Sequence, residues 1–175
     1  RVSRGVEEVC DKLVEANART RDAAEGFIKG LKPIGGTAID DALKQALSLR
    51  SNRGEEALPE GGRRKAGDRP FVIIFLTDGR PTIGTSDEEQ IVKNVTRLNE
   101  NRTRIFCFGI GTDVNTHLLD KITEDTRAFS QYVLPEEDLE VKVSTFFAKI
   151  KDPVLANPTL KFTGDVRVTK LYPAP

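Results

Sequence analysis

Methionine and tryptophan are absent from this 175-residue chain, and histidine occurs once. Each scarcity removes a class of function. A single histidine cannot build a His-Glu-x-x-His zinc helix, and no Gly-x-Ser-x-Gly elbow supplies a nucleophile for it to activate. That histidine, His117, precedes Leu118 and Leu119 at the start of an amphipathic stretch, the place of a capping or surface residue. The two cysteines are too few for a disulfide framework and too far apart for zinc-ligand spacing. Cys107, inside Ile105-Phe-Cys-Phe108, reads as a small apolar filler of a buried strand, whereas Cys10 has no context that assigns it. Charge of one sign is missing too: 27 lysines and arginines balance 27 aspartates and glutamates, which argues against a general nucleic-acid binder. The longest apolar run, Phe71 to Leu76, falls far short of the roughly 20 residues of a membrane span. The chain opens on Arg1 and is expected to be a processed chain or a piece of a longer one. The lack of a signal peptide therefore carries no information on compartment.

What is present is a rhythm. Ala23, Ala24, Phe27, Ile28 and Leu31 recur at helical spacing from Thr20, closed by Gly30 and Pro33. After the loop Pro33-Ile-Gly-Gly36, a second helix opens at Thr37 with Ile39, Ala42, Leu43, Ala46 and Leu47 on one stripe. Residues 51–70, charged and rich in glycine, predict a solvated surface loop, its Arg63-Arg-Lys65 cluster included. Phe71 to Leu76 predicts a strand buried on both faces that ends at Thr77-Asp78-Gly79. A helix capped by Ser86, with Glu89 three residues on, follows and buries Ile91, Val92, Val95 and Leu98. Next come a strand over Arg104 to Ile110, a helix over Leu118, Leu119 and Ile122, and a strand over Phe129 to Leu134. A helix from about Glu136 then carries Leu139, Val143, Phe146, Phe147 and Ile150 on one face up to Asp152-Pro153. A short strand is expected near Val6 to Val9, and a β-hairpin over Thr159–Phe162 and Val166–Tyr172.

Strands alternating with helices of this length predict an α/β fold, doubly wound, with a mostly parallel sheet and helices on both faces. In such sheets ligands bind at the carboxyl ends of the strands. Asp78, Asp113 and the loop holding Thr37 are the places to look. No phosphate cradle is found there: Gly109-Ile-Gly111 lacks a third glycine, which would fall at Val114, and Gly61-Gly62 does not continue into a P-loop. A phosphoryl-accepting role for Asp78 would call for a second aspartate where Arg80 stands.

Gly35-Gly-Thr37-Ala-Ile-Asp-Asp-Ala-Leu43 taken together with Phe75-Leu-Thr-Asp78-Gly-Arg-Pro-Thr82 resembles the von Willebrand factor type A domain. Thr37 matches the threonine of that family's second metal loop and Asp78 the aspartate of its third. Phe147-Ala-Lys-Ile-Lys-Asp-Pro-Val154 and Val168-Thr-Lys-Leu-Tyr-Pro173 resemble the inter-alpha-trypsin inhibitor heavy-chain type, with its upstream vault/inter-alpha-trypsin domain. The resemblance implies a partial type A domain over 1–152 and the start of a β-rich domain over 153–175. It implies Mg²⁺ or Mn²⁺ held by hydroxyl and carboxylate oxygens, hard ligands for hard cations, with the last position filled by an acidic side chain of a protein partner. The implied module is adhesive, not an enzyme, and secreted or in the cell envelope. Arg80 and Thr82 are expected beside the site, where they could touch the partner.

The family's main metal loop, Asp-x-Ser-x-Ser, occurs nowhere in the chain, so its first strand, first helix and second strand are expected upstream of Arg1. Thr37 and Asp78 would then be part of a larger ligand set, and β-edge exposure would follow in the isolated segment. The bland readings are a helix N-cap for Thr37 and an Asp-Gly turn for Asp78. The alternative functions are a structural interaction domain with a degenerate, metal-free site, and an enzyme using the same edge.

Overall fold

Three parallel strands carry the fold: β3 (Val72–Thr77), β4 (Arg104–Ile110) and β5 (Ser130–Val133), in the order β3-β4-β5. The computed structural model describes residues 9–10, 12–32, 35–51, 56–57, 63–64, 71–100, 103–151 and 169–170. Ahead of the sheet lie helices α1 (Ala18–Gly30) and α2 (Ile39–Ser51) and the short strands β1 (Glu56–Ala57) and β2 (Arg63–Arg64). Helices α3 (Glu88–Leu98) and α4 (Thr116–Asp125) alternate with β3, β4 and β5, and α5 (Leu139–Ile150) follows. The chain divides into two compact units, Arg1–Asp138 and Leu139–Pro175. The expected hairpin over 159–172 and the boundary at 152/153 lie outside the described residues, Thr169 and Lys170 excepted. So does the expected strand near Val6, apart from Val9, which is a bend.

The alternation expected from the apolar pattern is the alternation observed. Val72 pairs with Arg104 and Thr77 with Gly109 along β3–β4, and Cys107 to Ile110 pair with Ser130 to Val133 along β4–β5. Helices α2, α3 and α4 cover one face of this sheet. Ile39, Leu43 and Leu47 from α2, Ile91 and Val95 from α3, and Leu118, Leu119 and Ile122 from α4 close over Ile73, Ile105 and Cys107 in one apolar cluster. Burying side chains of this size is worth about 1.5–3 kcal/mol each. On the other face Phe106 meets Phe129 edge to face, with ring centroids 5.2 Å apart, and the Arg104 guanidinium lies 4.9 Å from the Phe106 ring.

Several expectations need correction. β3 was expected to be buried on both faces; Ile73 and Thr77 are buried, but Val72, Ile74 and Leu76 are 44, 44 and 52% exposed. Two-sided burial belongs instead to the central strand β4, where Ile105, Phe106, Cys107 and Phe108 are all buried. Among the described residues β3 is an edge strand, and Val72, Ile74 and Leu76 share the face that α2, α3 and α4 do not cover. The α1 stripe does not make a core: none of its residues is buried, Ile28 and Leu31 are exposed, and α1 packs against no other described element. That helix is held by its own cap, in which Asn17 Oδ1 accepts from Thr20 N and Thr20 Oγ1 from Asn17 N. The cap of α3 is Asp87, not Ser86: its carboxylate accepts from Gln90 N at 2.8 Å, and a charged acceptor there also suits the helix dipole. The fifth helix starts at Leu139, not Glu136, because Glu137 is used in a turn that closes back on Leu134. On that helix Phe146 is buried, while Leu139, Val143 and Phe147 are exposed. Within the expected surface loop, Glu56 pairs with Arg64 and Ala57 with Arg63 as an antiparallel ribbon.

A buried carboxylate lies inside this apolar layer. The Asp40 carboxylate, 1% exposed in the first turn of α2, accepts from Asn94 Nδ2 on α3 at 3.1 and 3.3 Å and from Lys44 Nζ at 2.6 Å. Gln90 Nε2 in turn donates to Asn94 Oδ1 at 3.0 Å, which fixes the amide's orientation. Burial alone would raise the Asp40 pKa. The hydrogen bonds from Lys44, Asn94 and Thr85, together with the Lys44 charge, outweigh it and hold the group below the ordinary 3.8. The stabilisation is therefore present above that value and is lost as pH falls through the lower folded-state pKa.

Two predictions follow from this packing. In the full-length protein, Asp40→Ala should lower stability by about 2 kcal/mol at pH 7, the scale of a hydrogen-bonded buried charge. The deficit should narrow below pH 3.8; thermal unfolding across pH checks it, and a pH-independent deficit would contradict the ionised network. Cys107 is fully buried and its thiol is pushed up to about 12, by burial first and by the nearby Asp120 charge second. Alkylation of native Cys107 by iodoacetamide, followed by peptide mass spectrometry, should be slower than in the unfolded chain by on the order of a hundredfold.

Candidate metal site at the carboxyl edge of the sheet

The strand-end loop of β3 and the loop entering α2 meet through their backbones. Thr82 N donates to Thr37 O at 2.9 Å and Ile83 N donates to the same oxygen at 3.2 Å. In return Thr37 N donates to Thr82 Oγ1 at 2.8 Å. The approach is close enough to call for glycine at position 36: a Cβ there would collide with Thr82 Oγ1 and stand 2.8 Å from Ile83 Cγ1. Gly35 beside it has φ +107°, a conformation that side chains resist.

This clamp sets Thr37 against the Asp78-Gly79 turn. A Cβ placed on Gly79 would lie 3.3 Å from Thr37 Oγ1, so the hydroxyl borders the backbone that directly follows Asp78. The turn itself is made by the neighbouring threonine: Thr77 Oγ1 accepts from Gly79 N at 3.4 Å and donates to Gly79 O at 3.2 Å. Asp78 is exposed, and among the described residues its carboxylate takes part in no hydrogen bond or ion pair.

The bland reading of Thr37 as a helix cap does not describe this geometry. Helix α2 starts at Ile39, and its first intrahelical bond runs from Ala42 N to Ala38 O. Ala38 thus stands at the capping position, and the Thr37 hydroxyl makes no hydrogen bond among the described residues. An idle hydroxyl and an idle carboxylate on adjoining loops are the donor types that Mg²⁺ or Mn²⁺ takes, so the residues present fit a hard cation. They are two donors only. Among the described residues no group of three or more histidines, cysteines, aspartates or glutamates could hold a metal ion.

The rest of the edge is charged and interlinked. Arg80 Nε lies 3.7 Å from Asp113 Oδ1, joining the loops after β3 and β4 across two exposed side chains. Glu88 accepts from Asn115 Nδ2 at 2.7 Å and lies 2.7 Å from His117 Nδ1. Those two hydrogen bonds, with the charges of His117 and Arg80, hold Glu88 below the usual carboxylate range despite its slight desolvation. His117 is the exposed surface residue expected of it; the cap of α4 is Asn115, which accepts from Leu118 N. Thr82 was expected to face a partner. Its hydroxyl is committed to Thr37 N, a role invisible in sequence because the two residues stand 45 positions apart.

Comparison with known proteins agrees with this architecture. The family profile described as von Willebrand factor type A domain matches residues 2–132. The chain is similar to inter-alpha-trypsin inhibitor heavy chain H4 of Homo sapiens, at 32% identity over 87% of this chain and 16% of that protein. It is 29% identical to heavy chain H4 of Bos taurus and 27% identical to heavy chain H1 of Sus scrofa, again over 87% of this chain and 16% of each relative. The chain thus spans about one sixth of the length of the curated relatives it matches. The parallel α/β sheet, the paired loops at its carboxyl edge and the profile match together show that the chain belongs to the von Willebrand factor type A domain family.

Proposed function

We propose that the chain is a protein-protein interaction module that depends on Mg²⁺ or Mn²⁺ at the carboxyl edge of its sheet. The single observation that carries this reading is the juxtaposition of the unengaged Thr37 hydroxyl with the turn that bears the unengaged Asp78 carboxylate. A bound cation would supply a Lewis-acidic point to which an acidic side chain of a partner protein coordinates. Thr37 and Asp78 would hold it, together with residues of the full-length protein outside this chain. Arg80, two residues after Asp78 and exposed, stands at the rim, where it pairs with Asp113.

The role assigned is adhesive and non-enzymatic: no step of bond chemistry is asked of these side chains. The balanced charge of the chain speaks against nucleic acid as the partner. Among the described residues no helix is long and apolar enough to cross a membrane. Placement in a secreted protein is part of the same proposal, on the likeness to the inter-alpha-trypsin inhibitor heavy chains. A type A domain over 1–152 followed by a β-rich region over 153–175 is part of the same proposal. The second reading is an interaction domain with a degenerate site that needs no cation; whether the full-length protein carries an Asp-x-Ser-x-Ser loop, which this chain does not contain, distinguishes them.

Calorimetric titration of the full-length protein separates the two. The metal reading expects Mn²⁺ binding that Asp78→Ala weakens by roughly tenfold or more, about 1.4 kcal/mol. An unchanged affinity in Asp78→Ala, or no Mn²⁺ binding by the unsubstituted protein, would leave the metal-free reading standing.

A further inference from the structure

Thr37 makes three backbone hydrogen bonds to the loop after β3, and Thr82 supplies one partner in each direction. Ile83 N and Thr82 N both reach the Thr37 carbonyl, so either can hold that oxygen. Among the described residues the Thr37 N–H has a single acceptor, Thr82 Oγ1 at 2.8 Å. The same oxygen fills the space beside Gly36 that a Cβ would need. Threonine is β-branched, so a fixed backbone restricts its χ1 and limits its hydroxyl to a few directions. The direction taken points the Thr37 hydroxyl at the Asp78-Gly79 turn, and among the described residues it makes no hydrogen bond of its own.

We infer that Thr82 is a positioning residue for the metal site: its hydroxyl oxygen, by accepting from Thr37 N, orients the Thr37 hydroxyl toward the cation. The inference rests on the metal reading proposed above. It changes the expected part of Thr82 from partner contact to internal support. It also accounts for the pairing of a glycine at position 36 with a threonine at position 82, since the hydroxyl oxygen can approach only where no Cβ intervenes.

The test is Mn²⁺ titration of the full-length protein carrying Thr82→Val or Thr82→Ser, with Asp78→Ala alongside. Valine keeps the shape and removes the oxygen; serine keeps the oxygen and removes the methyl. Thr82→Val should weaken Mn²⁺ binding about five- to tenfold, the scale of one lost hydrogen bond. Thr82→Ser should stay within about twofold of the unsubstituted protein. Thermal unfolding of the metal-free forms supplies the control. A merely structural role would lower the midpoint of Thr82→Val while leaving its Mn²⁺ affinity unchanged, and that outcome overturns the inference. Equal weakening in the valine and serine variants overturns it as well, because the oxygen would not be the operative group. If Mn²⁺ binding is present and sensitive to Asp78→Ala but not to Thr82→Val, the positioning role fails and the metal site stands. If the unsubstituted protein binds no Mn²⁺, or Asp78→Ala binds as well as it does, both fall together.

Discussion

The site depends on a close approach between two backbones. The loop entering α2 and the loop leaving β3 exchange hydrogen bonds through Thr37, Thr82 and Ile83, and they do so at a separation that only glycine at position 36 permits. That contact places the Thr37 hydroxyl. It consumes the N–H and C=O of Thr37 and so leaves the hydroxyl as that residue's one group without a protein partner among the described residues. It brings this hydroxyl against the turn of Asp78, where Thr77 makes the turn and frees the carboxylate from that task. Helix α2 is anchored from below by the buried Asp40, whose bonds to Asn94 and Lys44 tie its first turn to α3.

Much of this was legible in the residues, and the parts that were not share a cause. The continuous apolar runs of β3 and β4 announced parallel strands, and the residues Gly35-Gly-Thr37 and Leu76-Thr-Asp78-Gly announced the two loops. What a run of apolar residues does not carry is the position of a strand within the sheet. The run of β3 read as buried on two faces, but among the described residues β3 is an edge strand and Val72, Ile74 and Leu76 stand exposed, whereas the central β4 is buried on both faces. Helical periodicity likewise announced α1 without saying whether anything would pack on its stripe. The cap of α3 was read one residue early because Ser86 and Asp87 are both good capping residues, and only geometry chooses between them.

The roles of Asp40 and Thr82 escaped for a different reason. Asp40 looks in sequence like one more acid in a first helical turn, where the macrodipole favours it. Its partner Asn94 is 54 residues away. Thr82 looks like a surface threonine after a proline, and its partner is 45 residues away. Each is a long-range pairing of ordinary side chains, with no local spacing to mark it. The charges along the edge behave in the same way: Arg80 with Asp113, and Glu88 with Asn115 and His117, stitch together loops that the sequence lists separately.

The central claim is that Thr37 and Asp78 share a cation. Anomalous diffraction from crystals of the full-length protein grown with Mn²⁺ tests it most directly. The account predicts a manganese peak at the carboxyl edge of the sheet, ligated by Thr37 Oγ1 and by the Asp78 carboxylate, either directly or through a coordinated water. A peak bound elsewhere, or none at this edge at saturating Mn²⁺, would contradict it.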